Sequence, residues 1–112
     1  MTGSMLKKKD WSQVKRRALS PTEVVTRLIT SPGWKLSGDG PQVSIEKTYT
    51  FANYHETISF VNAVAFIANA QDHHPDLSVH YNRCVVRFNT HDVQGISDSD
   101  FECAALVDAL VP

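Results

Sequence analysis

Cysteine is nearly absent: the chain carries two, Cys84 and Cys103, both in apolar surroundings and without metal-type spacing. That argues against a disulfide framework and reads as free thiols in a reducing cytoplasm. Long apolar runs are missing too; none approaches the roughly 20 residues of a membrane-spanning helix. The opening MTGSMLKKKDW has basic residues but no apolar stretch behind them, which does not read as a secretory signal. An excess of either charge is lacking: 11 Lys and Arg face 12 Asp and Glu, a net charge of -1. This argues against a dedicated nucleic-acid binder. There is no internal repeat, low-complexity tract or linker. With 112 residues, 42% hydrophobic and 21% charged, the chain reads as one soluble globular domain with one modest core.

The charge that is present is uneven. Lys7, Lys8, Lys9, Lys15, Arg16 and Arg17 crowd the start, opposed only by Asp10. Residues 1–19 therefore read as a basic arm, either solvated or in contact with an acidic partner, ahead of a domain over 20–112. Ser20-Pro21-Thr22-Glu23 announces a first helix, with Ser20 as cap and Glu23 closing a capping box. Val24, Val25, Leu28 and Ile29 supply its apolar face, and Ser31-Pro32-Gly33 ends it. Trp34 to Ser37 is a short strand candidate, and Gly38 to Pro41 a turn. Val43, Ile45, Tyr49 and Phe51 alternate with polar residues at a period of two, interrupted by Lys47. Asn53 caps a second helix whose stripe is Ile58, Val61, Ala65 and Ala68, widened by Phe60, Val64 and Ile67, with Pro75 stopping it near His74. Leu77, Val79 and Tyr81, then Cys84, Val86 and Phe88, form a second hairpin with Asn82-Arg83 as its turn. A third helix starts at Ser97, with Phe101, Ala104, Ala105 and Leu110 as its buried face. The order α-β-β-α-β-β-α implies an α+β fold: a four-stranded antiparallel sheet with helices on one face.

Residues 72–91 hold the chemistry. Asp72-His73-His74-Pro75-Asp76 crowds two imidazoles and two carboxylates beside a helix stop. With Tyr81 opposite Cys84, the ladder extends to place His74 opposite His91, about 4.5–5.5 Å apart. Three histidines would then meet at the open end of the hairpin and line one solvent-accessible pocket. Histidine gives and takes protons near neutrality. The negative end of the second helix favours an imidazolium at His73, as do Asp72 and Asp76. A surface His-His pair and a three-histidine zinc site are the alternatives, but neither H-x-H nor H-E-x-x-H spacing occurs. His55 and His80 read as surface residues, and Tyr81 as core.

The segment DHHPDLSVHYNRCVVRFNTHDVQGISDSD resembles the signature region of the pterin-4a-carbinolamine dehydratases. The matching positions are His73-His74-Pro75, Tyr81, His91 and Asp100, with weaker similarity from Ser20 to Val111, including Gly33-Trp34. The family usually has a charged or ionisable residue four positions before the first histidine. Asn69 stands there; it can orient His73 by hydrogen bonding but supplies no negative charge.

The resemblance implies a lyase, 4a-hydroxytetrahydrobiopterin dehydratase, that recycles the pterin used in phenylalanine hydroxylation. His73 and His91 are then the acid/base pair and His74 a substrate-binding residue. Asp72, Pro75, Tyr81, Asp100 and Asn69 bind or support, Asp100 through His91 or as a residue of the last helix's cap. The pterin is the substrate, and neither metal nor cofactor is expected. A homodimer or homotetramer and a functional link to an aromatic amino acid hydroxylase are implied, as is a cytoplasmic setting. The strand Val43 to Phe51, guarded only by Lys47, also suggests an edge to be covered by a second copy. The competing reading is a non-catalytic regulatory or assembly partner of the same fold.

Overall fold

The computed structural model describes residues 8–10 and 15–112. Lys7, counted in the basic arm, lies outside the described residues. Helix α1 is Pro21–Ile29, begun by the expected box: Glu23 N–H donates to Ser20 Oγ at 3.2 Å and Ser20 N–H to the Glu23 carboxylate at 2.9 Å. Arg17 grips the same carboxylate at 2.7 and 3.0 Å and holds its pKa down at about 2. Strand β1 is Lys35–Ser37, β2 Ser44–Thr50, β3 Asp76–Val79 and β4 Arg83–Phe88; helix α2 is Tyr54–Gln71 and α3 Asp98–Asp108. Short 3-10 turns occupy Gly40–Gln42 and His91–Val93.

The strands pair antiparallel in the order β1-β2-β4-β3. Alternation sends Ile45, Tyr49, Cys84, Val86 and Phe88 to the face covered by helices, where they join Phe60, Val64, Phe101 and Val107 in the core. The other face is polar. There Arg87 Nε donates to Glu46 at 2.8 Å and Arg87 Nη1 to Ser78 at 3.1 Å. Burial pushes the Glu46 carboxyl up, but its bonds to Arg87 and Ser37 outweigh this and hold it below its usual value.

Several expectations need correction. The second hairpin turns at Tyr81-Asn82, because Val79 pairs with Cys84 and His80 N–H reaches the Arg83 carbonyl at 2.9 Å. The register is thus displaced by two residues. That leaves the faces intact but moves Tyr81 from the ladder to the exposed tip, 64% exposed and stacked on Tyr54. Strand β2 is internal, so it is not an edge; β1 and β3 are the edges. Lys47 is no gatekeeper either: it lies on the helix-covered face and ion-pairs with Asp108 at 2.8 Å.

The helices touch the sheet along narrower stripes than periodicity suggests. In α2 the buried residues are Thr57, Phe60, Val64 and Ala68, leaving Ala65 exposed and Phe66 59% exposed. In α1 only Val24 is buried, and Val25 and Ile29 face outward. In α3 Cys103 and Val107 are inside, Ala105 is exposed, and Leu110 lies beyond the helix end. Helix α2 stops at Gln71 because Asp72 adopts a left-handed conformation (φ 50°, ψ 45°), before Pro75 can act.

Candidate active site

The left-handed turn at Asp72 decides where each histidine goes. Asp72 N–H donates to Asn69 O at 3.2 Å and His73 N–H to Ala68 O at 3.1 Å, closing the end of α2 and folding the chain back. His73 swings inward, 5% exposed, with its ring parallel to Phe88 at 5.9 Å between centroids and 9° between planes. His74 points outward and is exposed. His91, in the 3-10 turn after β4, is exposed as well.

Asp100, 0% exposed, joins these segments from within. Its Oδ1 lies 2.6 Å from His73 Nε2. Its Oδ2 accepts from the Thr90 hydroxyl at 2.8 Å and from Ser97 N–H at 2.9 Å. Thr90 also bonds Ser97 Oγ at 2.7 Å. With Nε2 engaged by Asp100, Nδ1 is the remaining ring nitrogen of His73. One buried carboxylate therefore anchors the residue before His74 and the residue before His91.

The alternation in sequence predicts that an extended β3–β4 ladder joins the histidines. The ladder stops at Asp76–Arg87, and His74 is unpaired in the sheet. Both segments are held by Asp100 instead, which acts through His73 and Thr90 rather than through His91. His73 is buried, so the expectation of three solvent-lining rings is corrected to two exposed rings, His74 and His91, and one buried ring. The carboxylate that Asn69 lacks is supplied to His73 by Asp100. Half-buried Asn69 has its carbonyl in the α2 terminus, and half-buried Pro75 leads into β3. Tyr81 is not part of this grouping: five residues beyond Asp76 along the hairpin, it sits roughly 16 Å from that end by strand rise.

Thr90 and Arg16 were missed. Thr90 continues the inward series Cys84, Val86, Phe88, and a hydroxyl at such a position was the available signal. Arg16 reaches the site across a sequence gap that no local pattern reports; its Nη2 donates to Asp72 O at 3.2 Å. The basic arm has acidic partners within its own chain: Lys8 pairs with Asp72 at 3.5 Å, Lys9 with Glu102 at 3.4 Å and Arg16 with Asp92 at 3.7 Å. Behind the site, burial and then the nearby Asp100 push the Cys103 thiol up to about 12, so it stays protonated and inert. Among the described residues, no three His, Cys, Asp or Glu side chains gather to hold a metal ion.

Comparison with known proteins bears on the family and the fold. The family model described as pterin 4 alpha carbinolamine dehydratase matches residues 17–110. A Paracidovorax citrulli protein provisionally named a pterin-4-alpha-carbinolamine dehydratase is 76% identical over 110 residues, covering 98% of this chain and 95% of that one. A Chromobacterium violaceum protein with the same provisional name is 54% identical over 92 residues, 82% of each chain. Among solved structures, a transcriptional coactivator/pterin dehydratase from Brucella melitensis superposes with a TM-score of 0.79 at 25% identity, over 85% of this chain and 99% of its own. A pterin dehydratase-like protein described as a RuBisCO assembly factor in the alpha-carboxysome shares the fold at a TM-score of 0.60 and 22% identity, over 70% and 88%. The chain belongs to the pterin-4a-carbinolamine dehydratase family.

Proposed function

We propose that this protein is a 4a-hydroxytetrahydrobiopterin dehydratase. It would remove water from 4a-hydroxytetrahydropterin, leave quinonoid dihydropterin, and so recycle the pterin of an aromatic amino acid hydroxylase. The observation that carries the reading is the Asp100 carboxylate, which fixes His73 and, through Thr90, the turn that bears His91. In the reaction the C4a–O bond breaks and the hydroxyl leaves as water, taking a proton from an imidazolium. The adjacent ring nitrogen yields its proton to a neutral imidazole, and the freed pair forms the C=N bond. No electrons are gained or lost, so the scheme needs no redox cofactor. His91, exposed, and His73, backed by Asp100 as a base is backed in a catalytic triad, are the proton-transfer pair. His74 holds the pterin.

The test is a dehydration assay in which a hydroxylase generates the 4a-hydroxypterin and formation of the quinonoid product is followed. His91→Ala is expected to lower kcat by about 100-fold or more, with stability unchanged because the side chain is exposed. His74→Ala should mainly raise KM. The double variant of His73 and His91 should lose far more than either alone. Wild-type turnover in a folded double variant would transfer the assignment to the alternative, a regulatory or assembly role. That alternative draws on the solved neighbour described as an assembly factor and on the outward apolar side chain Phe66.

The setting proposed is cytoplasmic, in keeping with two buried free thiols. Among the described residues no helix is long and apolar enough to cross a membrane. A homodimer or homotetramer is proposed from the short open edge β3. Sedimentation as a monomer at micromolar concentration would contradict it.

A further inference from the structure

Arg16 lies one residue ahead of the stretch matched by the family model. Its side chain is only 14% exposed, in a part of the chain whose other charges face solvent. The two arms of its guanidinium go to different places. Nη2 donates to the backbone carbonyl of Asp72 at 3.2 Å, and Nη1 lies 3.7 Å from the carboxylate of Asp92. Asp72 immediately precedes His73, and Asp92 immediately follows His91.

The chain around Arg16 is itself held in place. Leu19 N–H donates to Ile96 O at 2.7 Å, and a Cβ added to Gly95 would lie 3.8 Å from Ala18 Cβ. Asp72 ends a helix, where carbonyls lack intrahelical partners and the dipole favours a cation. The His91–Val93 turn is short, closed by Val93 N–H to Thr90 O and Gln94 N–H to His91 O, each at 3.1 Å. From the interior this turn is held through Thr90, which donates to Asp100 at 2.8 Å.

We propose that Arg16 is a positioning residue: it clamps the His73–His74 segment to the His91 turn from the solvent side, as Asp100 does from the interior. A planar fork can bond a carbonyl with one arm and face a carboxylate on a second segment with the other; a lysine ammonium would serve one and leave the other. The kinetic consequence rests on the dehydratase reading, whereas the clamp has a structural readout of its own.

The experiment compares the full chain with Arg16→Ala and Arg16→Lys in the dehydration assay and in amide hydrogen exchange. Loss of the clamp displaces histidines that must meet one substrate, so kcat of Arg16→Ala should fall by about 10- to 100-fold, with KM within about two-fold and a native circular dichroism spectrum. A few millimolar guanidinium ion, far below denaturing levels, should restore part of the lost turnover. Arg16→Lys should recover little, although it keeps the charge and most of the packing. The amides of His73 and Gln94 should exchange faster in Arg16→Ala while those of the β2–β4 ladder do not. Wild-type kcat with unchanged exchange overturns the proposal. So does a rise in KM alone, which would mean that Arg16 touches substrate. If the wild-type chain shows no dehydration, the functional reading fails and exchange alone decides the clamp: faster exchange at His73 and Gln94 keeps it, unchanged exchange removes it.

Discussion

Helix α3 carries two buried or half-buried aspartates, Asp100 in its first turn and Asp108 at its last residue, about 12 Å apart along the axis. Each collects three donors, yet the two clusters are built for different ends. Asp108 receives Trp34 Nε1–H at 3.0 Å, the Lys47 ammonium at 2.8 Å and the Tyr49 hydroxyl. It stands at the negative end of the helix, where a carboxylate is disfavoured, and Lys47 supplies the permanent charge that offsets this. Asp100 stands at the positive end and receives His73, Thr90 and Ser97 N–H, none of which is permanently charged. Among the described residues the only ionisable group bonded to Asp100 is an imidazole, a side chain type that exchanges protons near neutrality. The same residue type on the same helix thus fastens the sheet at one end and, at the other, holds the histidine assigned to proton transfer in the proposed reaction. What separates them is whether the counter-group can let its proton go.

Asp100→Asn is the variant that tests this contrast most severely. The amide keeps the volume but can no longer accept from all three donors as an anion. Turnover should drop by about 100-fold or more, and the unfolding free energy by about 1–3 kcal/mol, because buried donors lose their acceptor. Turnover within two-fold of wild type in this variant would break the comparison outright.

Asp108→Asn should give the opposite profile: turnover within two-fold, and stability lower by about 1–2 kcal/mol from weakened bonds at a partly exposed site. Burial pushes the Asp108 carboxyl up, but the bonds from Lys47, Tyr49 and Trp34 outweigh it and hold the group below its usual value. A carboxyl lowered on folding adds stability that is fully present above its unfolded pKa and is lost as pH falls through the folded one. The urea midpoint of Asp108→Asn should therefore depend less steeply on pH below about 4 than that of wild type. Parallel acid limbs for the two proteins would show that Asp108 is not the anchor described.

Much of this arrangement is legible in the sequence, and the part that is not has a physical reason. The caps at Ser20 and Asn53 are local side-chain to backbone bonds, and both occur where spacing places them. Strand faces follow from alternation, which survived a two-residue register displacement because the side-chain period is also two. Tyr81 was misplaced for the same reason: a weak turn signal let either of two registers fit the same apolar pattern. Helix stripes were read too wide, since periodicity marks which residues can be buried but not how much neighbouring surface exists to bury Val25, Ile29 or Phe66. Asp100 was visible as a residue of the α3 terminus. That the same carboxylate also receives His73 depends on how the end of α2 meets the start of α3, which is tertiary. Lys47 looked like a flaw in the apolar alternation until Asp108, remote in sequence, was seen to receive it.

Gly33 gives the smallest and most local test of the Asp108 end. It has φ +87°, a backbone conformation that L side chains rarely adopt, and a Cβ built there would lie 2.8 Å from Lys47 Cε. The ammonium beyond that carbon donates to Pro32 O at 3.2 Å as well as to Asp108, so its stem has to run directly over the glycine. Gly33→Ala adds the left-handed strain of about 1–2 kcal/mol and pushes the flexible end of Lys47 aside. The stem can yield by changing rotamer, so the steric part should be small and the strain should dominate. The expected loss is about 1 kcal/mol in urea unfolding, offset in part by the stiffer unfolded chain, with turnover unchanged. Combining Gly33→Ala with Lys47→Met separates the two causes. If strain dominates, the losses add; if the cost lies in displacing the ammonium from Asp108, the double variant loses no more than Lys47→Met alone.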